Sequence, residues 1–529
     1  MPDAQSSPAN TIPQLIEQAA ALFGEQVFLE EGDTRVSFAD FADHARQVAA
    51  ALIAKGIEPG DRVGVWAPNM SEWVIAALGA QCAGVVLVTL NTRYKGAEAA
   101  YILRRSRARL LFSIGQFLDT DYPAQLADQD LPALEEIVVF GQANTPHTDW
   151  QHFLAAGEQV EASTITARMH AVSGEDTSDI LFTSGTTGSP KGVMTGHAQN
   201  LRAFSSFGDI VGITQGDRYL VINPFFHSFG YKAGILVCLL RGVTLLPHSV
   251  FDSDVILKRI ETDKVSVMPG APTLFQSLLA HPALDDYDIS SLKCATTGAA
   301  AIPVEMIRQM KSRLGFERVI TAYGLTESCG LVTMCRDGDS AETIATTAGR
   351  AIPDIELRCV DTDGNQVPRG DSGEIVLRGY NVMNCYFEDA EATAEAIDNQ
   401  GWLHTGDIGV MDAAGNLRIT DRLKDMFITG GFNCYPAEIE NVLAEHPAIA
   451  MSSVIGVADE RMGEVAMAFV VPKQGTMLDD ADLISWCRER MANFKVPRFV
   501  QQLEALPLNA SGKIVKPELR KLATTSTNH

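Results

Sequence analysis

The sequence predicts an α/β protein with a large N-terminal domain of parallel-sheet layers plus a small antiparallel β-region. A small α+β C-terminal domain follows. Up to about residue 420, short β-branched runs alternate with amphipathic, helix-length stretches, the pattern of α/β units. The end of that stretch is strand-rich, with turns at Asp363-Gly364 and Ala414-Gly415. After Asp421 two helix patterns and two strand patterns fill about a hundred residues, an ordinary domain size. The expected division is residues 1–420, a hinge at 421–424, and residues 425–529.

In chain order, SFADFADHARQVAAALIAKG reads as an amphipathic helix and DRVGVWAP as a strand. Trp73 to Leu90 is apolar except at Gln81 and Thr89. It is short for a membrane span and reads better as a buried helix capped by Ser71 and ended by Gly84, then a buried parallel strand, VVLVTL. RYLVINP, GVTLLP, KVSVMPG and RVITAYG continue the strands. IELRCVD, GEIVLRG and NLRITDR read as antiparallel strands. In the last unit YPAEIENVLAEHP and DLISWCRERMANF are helices, and AMSSVIGVAD and EVAMAFVVPK are strands.

The 529 residues carry a formal net charge of −24, which repels polyanions and argues against nucleic acid as the main partner. With 46% hydrophobic and 20% charged residues, the chain is neither disordered nor a membrane protein overall. The cysteine count is odd, nine, and no CxxC pair occurs; this argues against a disulfide framework or zinc site and for a reducing compartment. MPDAQSSPAN lacks the basic and apolar regions of a signal peptide, and TTSTNH carries no lipidation or peroxisomal address. A cytoplasmic protein is expected.

The sharpest local signal is Thr183-Ser184-Gly185-Thr186-Thr187-Gly188-Ser189-Pro190-Lys191-Gly192, which follows the apolar run DILF and so leaves a strand. Glycines and small hydroxyl residues let backbone N–H groups approach an anion closely, and Lys191 adds a cation. The string suits a triphosphate. It is not a Walker A loop, because Pro190 precedes the lysine and Gly192 follows it.

This string resembles the phosphate loop of the adenylate-forming superfamily: acyl-CoA synthetases, peptide-synthetase adenylation domains and beetle luciferases. Further motifs follow in order. Asn223-Pro-Phe-Phe-His227-Ser-Phe-Gly230 is similar to the substrate gate, and Thr321-Ala322-Tyr323-Gly324-Leu-Thr326-Glu327 to the adenine and magnesium motif. Trp402-Leu-His-Thr-Gly406-Asp407 is similar to the ribose motif, Asp421-Arg422-Leu-Lys424-Asp425 to the hinge, and Asn509-Ala-Ser-Gly512-Lys513 to the C-terminal lysine motif. The resemblance spans essentially the whole chain.

The resemblance implies an enzyme using ATP, Mg²⁺ and coenzyme A. A carboxylate attacks the α-phosphate of ATP, and a thiol then displaces AMP from the acyl-adenylate. It implies that Lys513 bridges the carboxylate and α-phosphate, that Thr326 bonds the α-phosphate, and that Glu327 holds Mg²⁺. Tyr323 would stack on adenine beside the small-residue wall Gly298, Ala299 and Ala300. Asp407 and Arg422 would hold the ribose, and His227 would gate the acyl tunnel. The small domain would be mobile, rotating about Lys424 between half-reactions to withdraw Lys513 and present Gly430-Gly431-Phe432 to the pantetheine arm. Lys516 and Lys521 read as solvated. Ile428 stands where some relatives carry lysine, and Leu508-Asn509 replaces their commoner Arg-Thr, which touches the CoA and adenylate contacts.

Phe225, Phe226, His227, Phe229, Tyr231 and Met334 are candidates for the acyl pocket wall, and no charge in NPFFHSFG suggests an amino-acid anchor. NPFFHSFGYKAGIL, NVMNCYFEDAEATAEAID and ITDRLKDMFITGGFNCYPAEIE resemble one subgroup. It consists of bacterial CoA ligases for the indane-propanoate left after steroid A and B rings are degraded. A medium- or long-chain fatty acyl-CoA ligase, or a stand-alone protein loading a carrier protein, remains an alternative. The expected partners are a carboxylic acid, ATP and CoA, with no nucleic acid and no membrane span; a homodimer is open.

Overall fold

The computed structural model describes residues 8–141, 146–184, 190–298, 302–422, 427–434, 436–473, 475–507, 514 and 516–526. Helix Phe38–Ala54 begins where Ser37 and Asp40 exchange side-chain-to-backbone hydrogen bonds, a capping box that satisfies otherwise orphaned N–H groups.

Helix Ser71–Cys82 is buried on all sides because it packs against strands of two different sheets. Gly79 lets it approach Phe38–Ala54, since a Cβ there would fall 2.6 Å from Val48 Cβ. Its N-cap is Met70 rather than Ser71. The Ser71 amide donates to Glu31 Oε2 at 2.7 Å, a side chain remote in sequence that took over the capping role expected of the serine. Gly84, at φ +74, ends the helix as expected, and Val86–Thr89 is a fully buried strand. No helix among the described residues is long and apolar enough to cross a membrane.

The two main sheets have nine and eight strands. Their centres are parallel: Arg62–Trp66 pairs with both Val86–Thr89 and Ala108–Ile114, and Cys294–Gly298 with Arg318–Tyr323. Antiparallel strands close both edges of the nine-stranded sheet and one edge of the eight-stranded one, where Thr177–Ser184 pairs with Pro190–Gly196; the other edge of the latter is parallel. A separate four-stranded antiparallel sheet runs in the order Ile355–Val360, Ser372–Gly379, Leu403–Met411 and Leu417–Arg422. These are the antiparallel strands the sequence predicts.

Beyond residue 426 the strands form another sheet. Gly463–Pro472 lies antiparallel to Ile449–Asp459 and parallel to Phe499–Gln502. Helices Pro436–Ala444 and Asp480–Arg488 supply side chains to its own apolar cluster. Lys516 is not solvated as expected: its Nζ lies 3.0 Å from Glu440 Oε1 and donates to the Val454 carbonyl at 3.1 Å. All nine cysteines are free thiols, and all but Cys385 are buried.

His197 opens helix His197–Val211 with 1% exposure and accepts a hydrogen bond from the Ile12 amide at Nδ1. Burial lowers its pKa to about 4, against a weaker upward pull from Asp179 and Asp176. The unfolded chain therefore takes up a proton near pH 6.5 that the folded chain refuses until about pH 4. Stability from this group is complete above pH 6.5 and falls by about 1.4 kcal/mol per pH unit below it. In urea titrations from pH 7 to 4.5, His197→Gln should lose that slope relative to the parent; parallel pH profiles would contradict the assignment.

Candidate active site

Strand Thr177–Ser184 leaves the eight-stranded sheet, and Pro190–Gly196 returns antiparallel beside it, Thr183 opposite Lys191. Both described ends of the phosphate string therefore lie on paired antiparallel strands. Gly185, Thr186, Thr187, Gly188 and Ser189 lie outside the described residues, as does the side chain of Ser184.

The hairpin is anchored from beneath. Asp179 and Lys232 are fully buried and meet at 3.0 Å. Asp179 also accepts from Thr195 at 2.9 Å and from Asn200 at 2.7 Å. Lys232 stands on the π-helix Phe229–Leu236, directly after the gate motif. Such wide turns are uncommon and cluster at functional sites. A buried pair broken on one side costs about 3–5 kcal/mol, so hairpin and gate helix move as one body.

Three segments converge on Glu327, in the short turn Thr326–Ser328. Tyr386 Oη donates to its Oε1 at 2.8 Å, and Thr183 Oγ1 reaches the same oxygen at 3.5 Å. Lys191 Nζ lies 5.1 Å from the Tyr386 ring centroid. Desolvation raises the Glu327 pKa and the Asp407 charge adds to the rise, while bonds from its own amide, Tyr386 and Thr183 oppose it. Among the described residues, no cation ranks with the largest influences on this carboxylate. A divalent metal facing phosphates would fit that deficit of positive charge.

Asp407, 7% exposed on Leu403–Met411, accepts a hydrogen bond from Tyr323 Oη at 2.7 Å. Tyr323 thus does more than present a ring: its hydroxyl orients the carboxylate assigned to ribose. Arg422 lies opposite Asp407 in strand register; its side chain lies outside the described residues. His404 is held by Glu374 at 2.9 Å. Gly298 pairs with Ala322, and a Cβ on Gly298 would fall 2.7 Å from the Ala322 carbonyl oxygen. A Cβ on Gly324 would fall 2.3 Å from the Gly330 carbonyl oxygen, so both glycines are needed for close backbone approach. Ala299 and Ala300 lie outside the described residues.

His227 is exposed, and its Nδ1 accepts from the Phe229 amide at 3.3 Å. Surrounding protein lowers its pKa and the Lys232 ammonium adds to the effect. The ring also opens onto solvent, which limits the shift; its direction keeps the imidazole neutral at pH 7. Of the other pocket candidates, Phe225, Tyr231 and Met334 have no exposed surface. Phe225 and Tyr231 pack against Trp73 with centroids 5.4 and 6.0 Å away, and Tyr231 donates to Gln81 at 3.1 Å. They are core. Phe226 and Phe229 stay partly open.

Gly430 and Gly431 form a two-residue turn between Phe427–Thr429 and Phe432–Cys434, at φ +55 and +83. Both values favour glycine. Lys424 and Lys513 lie outside the described residues. Tyr386 was not legible as a site residue, because nothing in NCYFED marks it. Lys495 was missed as well, although a lysine between the apolar Phe494 and Val496 is a signal that could have found it.

Residues 16–387 match the AMP-binding enzyme family, and residues 438–513 match the AMP-binding enzyme C-terminal domain. The chain belongs to the AMP-binding enzyme family. It is 51% identical over 512 residues to the 3-[(3aS,4S,7aS)-7a-methyl-1,5-dioxo-octahydro-1H-inden-4-yl]propanoyl:CoA ligase of Mycobacterium tuberculosis, covering 97% of this chain and 99% of that one. To the ligase of the same name from Rhodococcus jostii it is 49% identical over 517 residues, covering 97% and 98%. Among solved structures, it is similar to o-succinylbenzoate CoA synthetase from Bacillus subtilis. The complex of a double mutant with its product analogue gives TM-score 0.80 at 28% identity, covering 96% of this chain and 98% of that one. The complex with ATP and magnesium gives 0.68 at 29% identity, covering 96% and 99%.

Losing the hydroxyl that orients Asp407 should weaken nucleotide binding. Tyr323→Phe keeps the ring and should raise the Kd for AMP about tenfold by calorimetry, as expected for a hydrogen bond to a charged group. An unchanged Kd would remove Asp407 from the nucleotide site or Tyr323 from its support.

Proposed function

We propose that the chain is an ATP-dependent, AMP-forming acyl-CoA ligase for 3-(7a-methyl-1,5-dioxo-indanyl)propanoate, the steroid C/D-ring remnant. The observation that carries the substrate is the near-full-length identity of 49–51% to two ligases named for that acid. The partly open rings of Phe226 and Phe229 beside His227 are compatible with a bulky apolar acid.

In the first half-reaction a carboxylate oxygen attacks the α-phosphorus and the bond to pyrophosphate breaks. Negative charge must be tolerated where carboxylate and triphosphate meet, so catalysis is positioning plus electrostatic stabilisation. Lys191 and the segment from Thr183 to Gly188 bind the triphosphate. Glu327, steadied by Tyr386 and Thr183, would hold Mg²⁺, which supplies neutralising charge on the phosphates. Thr326 bonds the α-phosphate, and Asp407 with Arg422 fixes the ribose. Lys513 bridges the two reacting anions. Neutral His227 lines the acyl entry without pairing with the substrate carboxylate. In the second half-reaction the CoA sulfur attacks the acyl carbon and the acyl–phosphate bond breaks, releasing AMP. The Gly430-Gly431 turn gives the pantetheine arm room to approach.

AMP release with Mg-ATP and CoA, measured over the indane acid, octanoate, palmitate, 4-coumarate and amino acids, should favour the indane acid and require CoA. Preference for a straight-chain acid would overturn the substrate but keep the ligase. Adenylate that forms but is not discharged as AMP and thioester when CoA is added would favour a carrier-protein acceptor. Lys513→Ala should slow pyrophosphate release by about 10²–10³ and spare thioester formation from supplied acyl-adenylate. Equal loss of both steps would refute its role.

A further inference from the structure

The small domain meets the large one through side chains that none of the nucleotide motifs contains. Lys495, just beyond helix Asp480–Arg488, has a side chain only 4% exposed. Its Nζ lies 2.7 Å from Glu98 Oε1, in the first turn of the large-domain helix Gly96–Ser106. It forms a second ion pair with Glu438 on the small-domain helix Pro436–Ala444. The Tyr94 ring centroid lies 4.8 Å from the same ammonium. Alongside, the Arg93 guanidinium sits 4.3 Å over the Phe432 ring, which stacks on Phe494 with centroids 4.7 Å apart. Phe432 directly follows Gly431, and a Cβ built on Gly431 would lie 3.8 Å from Ala271 Cβ. The glycine turn thus abuts the large domain where this cluster grips it.

Two carboxylates from different domains share one ammonium that water hardly reaches. Glu438 travels with Lys495, and Glu98 does not. Rotating the small domain away would leave the Glu438 pair intact and break both the Glu98 bond and the contact with the Tyr94 face. Charge-assisted and cation–π contacts of this sort are strong when desolvated. The Glu98–Lys495 bond is therefore a contact of one domain arrangement only, the arrangement that seats the glycine turn.

We propose that Glu98 and Lys495 form an interdomain latch that holds the Gly430-Gly431 turn against the large domain and so positions it for the thiol-transfer half-reaction. The proposal rests on the ligase reading above. Both are positioning residues, since the latch acts through the glycine turn. The latch opens whenever the small domain leaves to serve adenylation.

Glu98→Gln removes the charge but can still accept the Lys95 amide bond that caps the helix. Two half-reactions are measured in parent and variant: ATP–pyrophosphate exchange without CoA, and thioester formation from supplied acyl-adenylate with CoA. The variant should exchange pyrophosphate at the parental rate or up to about twofold faster, and form thioester about tenfold more slowly. Glu98→Asp, which keeps the charge but shortens the reach, should show the same split, and guards against a misfolded glutamine variant. Unchanged thioester formation, or equal slowing of both steps, would overturn the latch. A parent that shows neither half-reaction with any acid would instead overturn the ligase reading.

Discussion

The fully buried Asp179–Lys232 pair is the constraint on which the site depends. Neither charge can be left alone in a region without water, so the strand Thr177–Ser184 and the π-helix Phe229–Leu236 are held together. Thr195, Asn200 and Ser178 also donate to Asp179, which keeps the buried carboxylate well satisfied. From that fixed base, the strand Thr177–Ser184 and the helix Phe229–Leu236 stand at a set separation.

The other functional groups are placed by bonds that cross between sheets. Tyr386 comes from a short strand at the edge of the eight-stranded sheet and reaches Glu327 near the edge of the nine-stranded one. Tyr323 joins the nine-stranded sheet to Asp407 on the four-stranded sheet. Each carboxylate assigned to the nucleotide is oriented by a tyrosine hydroxyl from another sheet. The geometry of the cleft is therefore a property of the packed large domain and not of any single loop.

Much of this was readable from residue order, because strands buried on both faces and short nucleotide motifs leave local signatures. Val86–Thr89, the antiparallel run from Ile355 to Arg422 and the small-domain sheet fall where the patterns put them. What escaped was non-local. The amide at Ser71 is satisfied by Glu31, Lys516 finds Glu440, and Phe225 and Tyr231 turn into the core against Trp73. Such partners are chosen by tertiary packing, to which composition and periodicity are blind. The same holds for Tyr386, which supports Glu327 across 59 residues of chain.

The burial of the cysteines has a chemical consequence. An acyl-adenylate is a potent acylating agent, and any thiolate within reach would trap it. Cys329 lies two residues from Glu327, yet it is wholly enclosed and burial pushes its thiol up to about 12. Cys82 and Cys434 are raised to about 12 in the same way. At neutral pH these sulfurs stay protonated and unreactive. These three thiols are thereby withheld from the reactive intermediate, which is left to a thiol that arrives from outside.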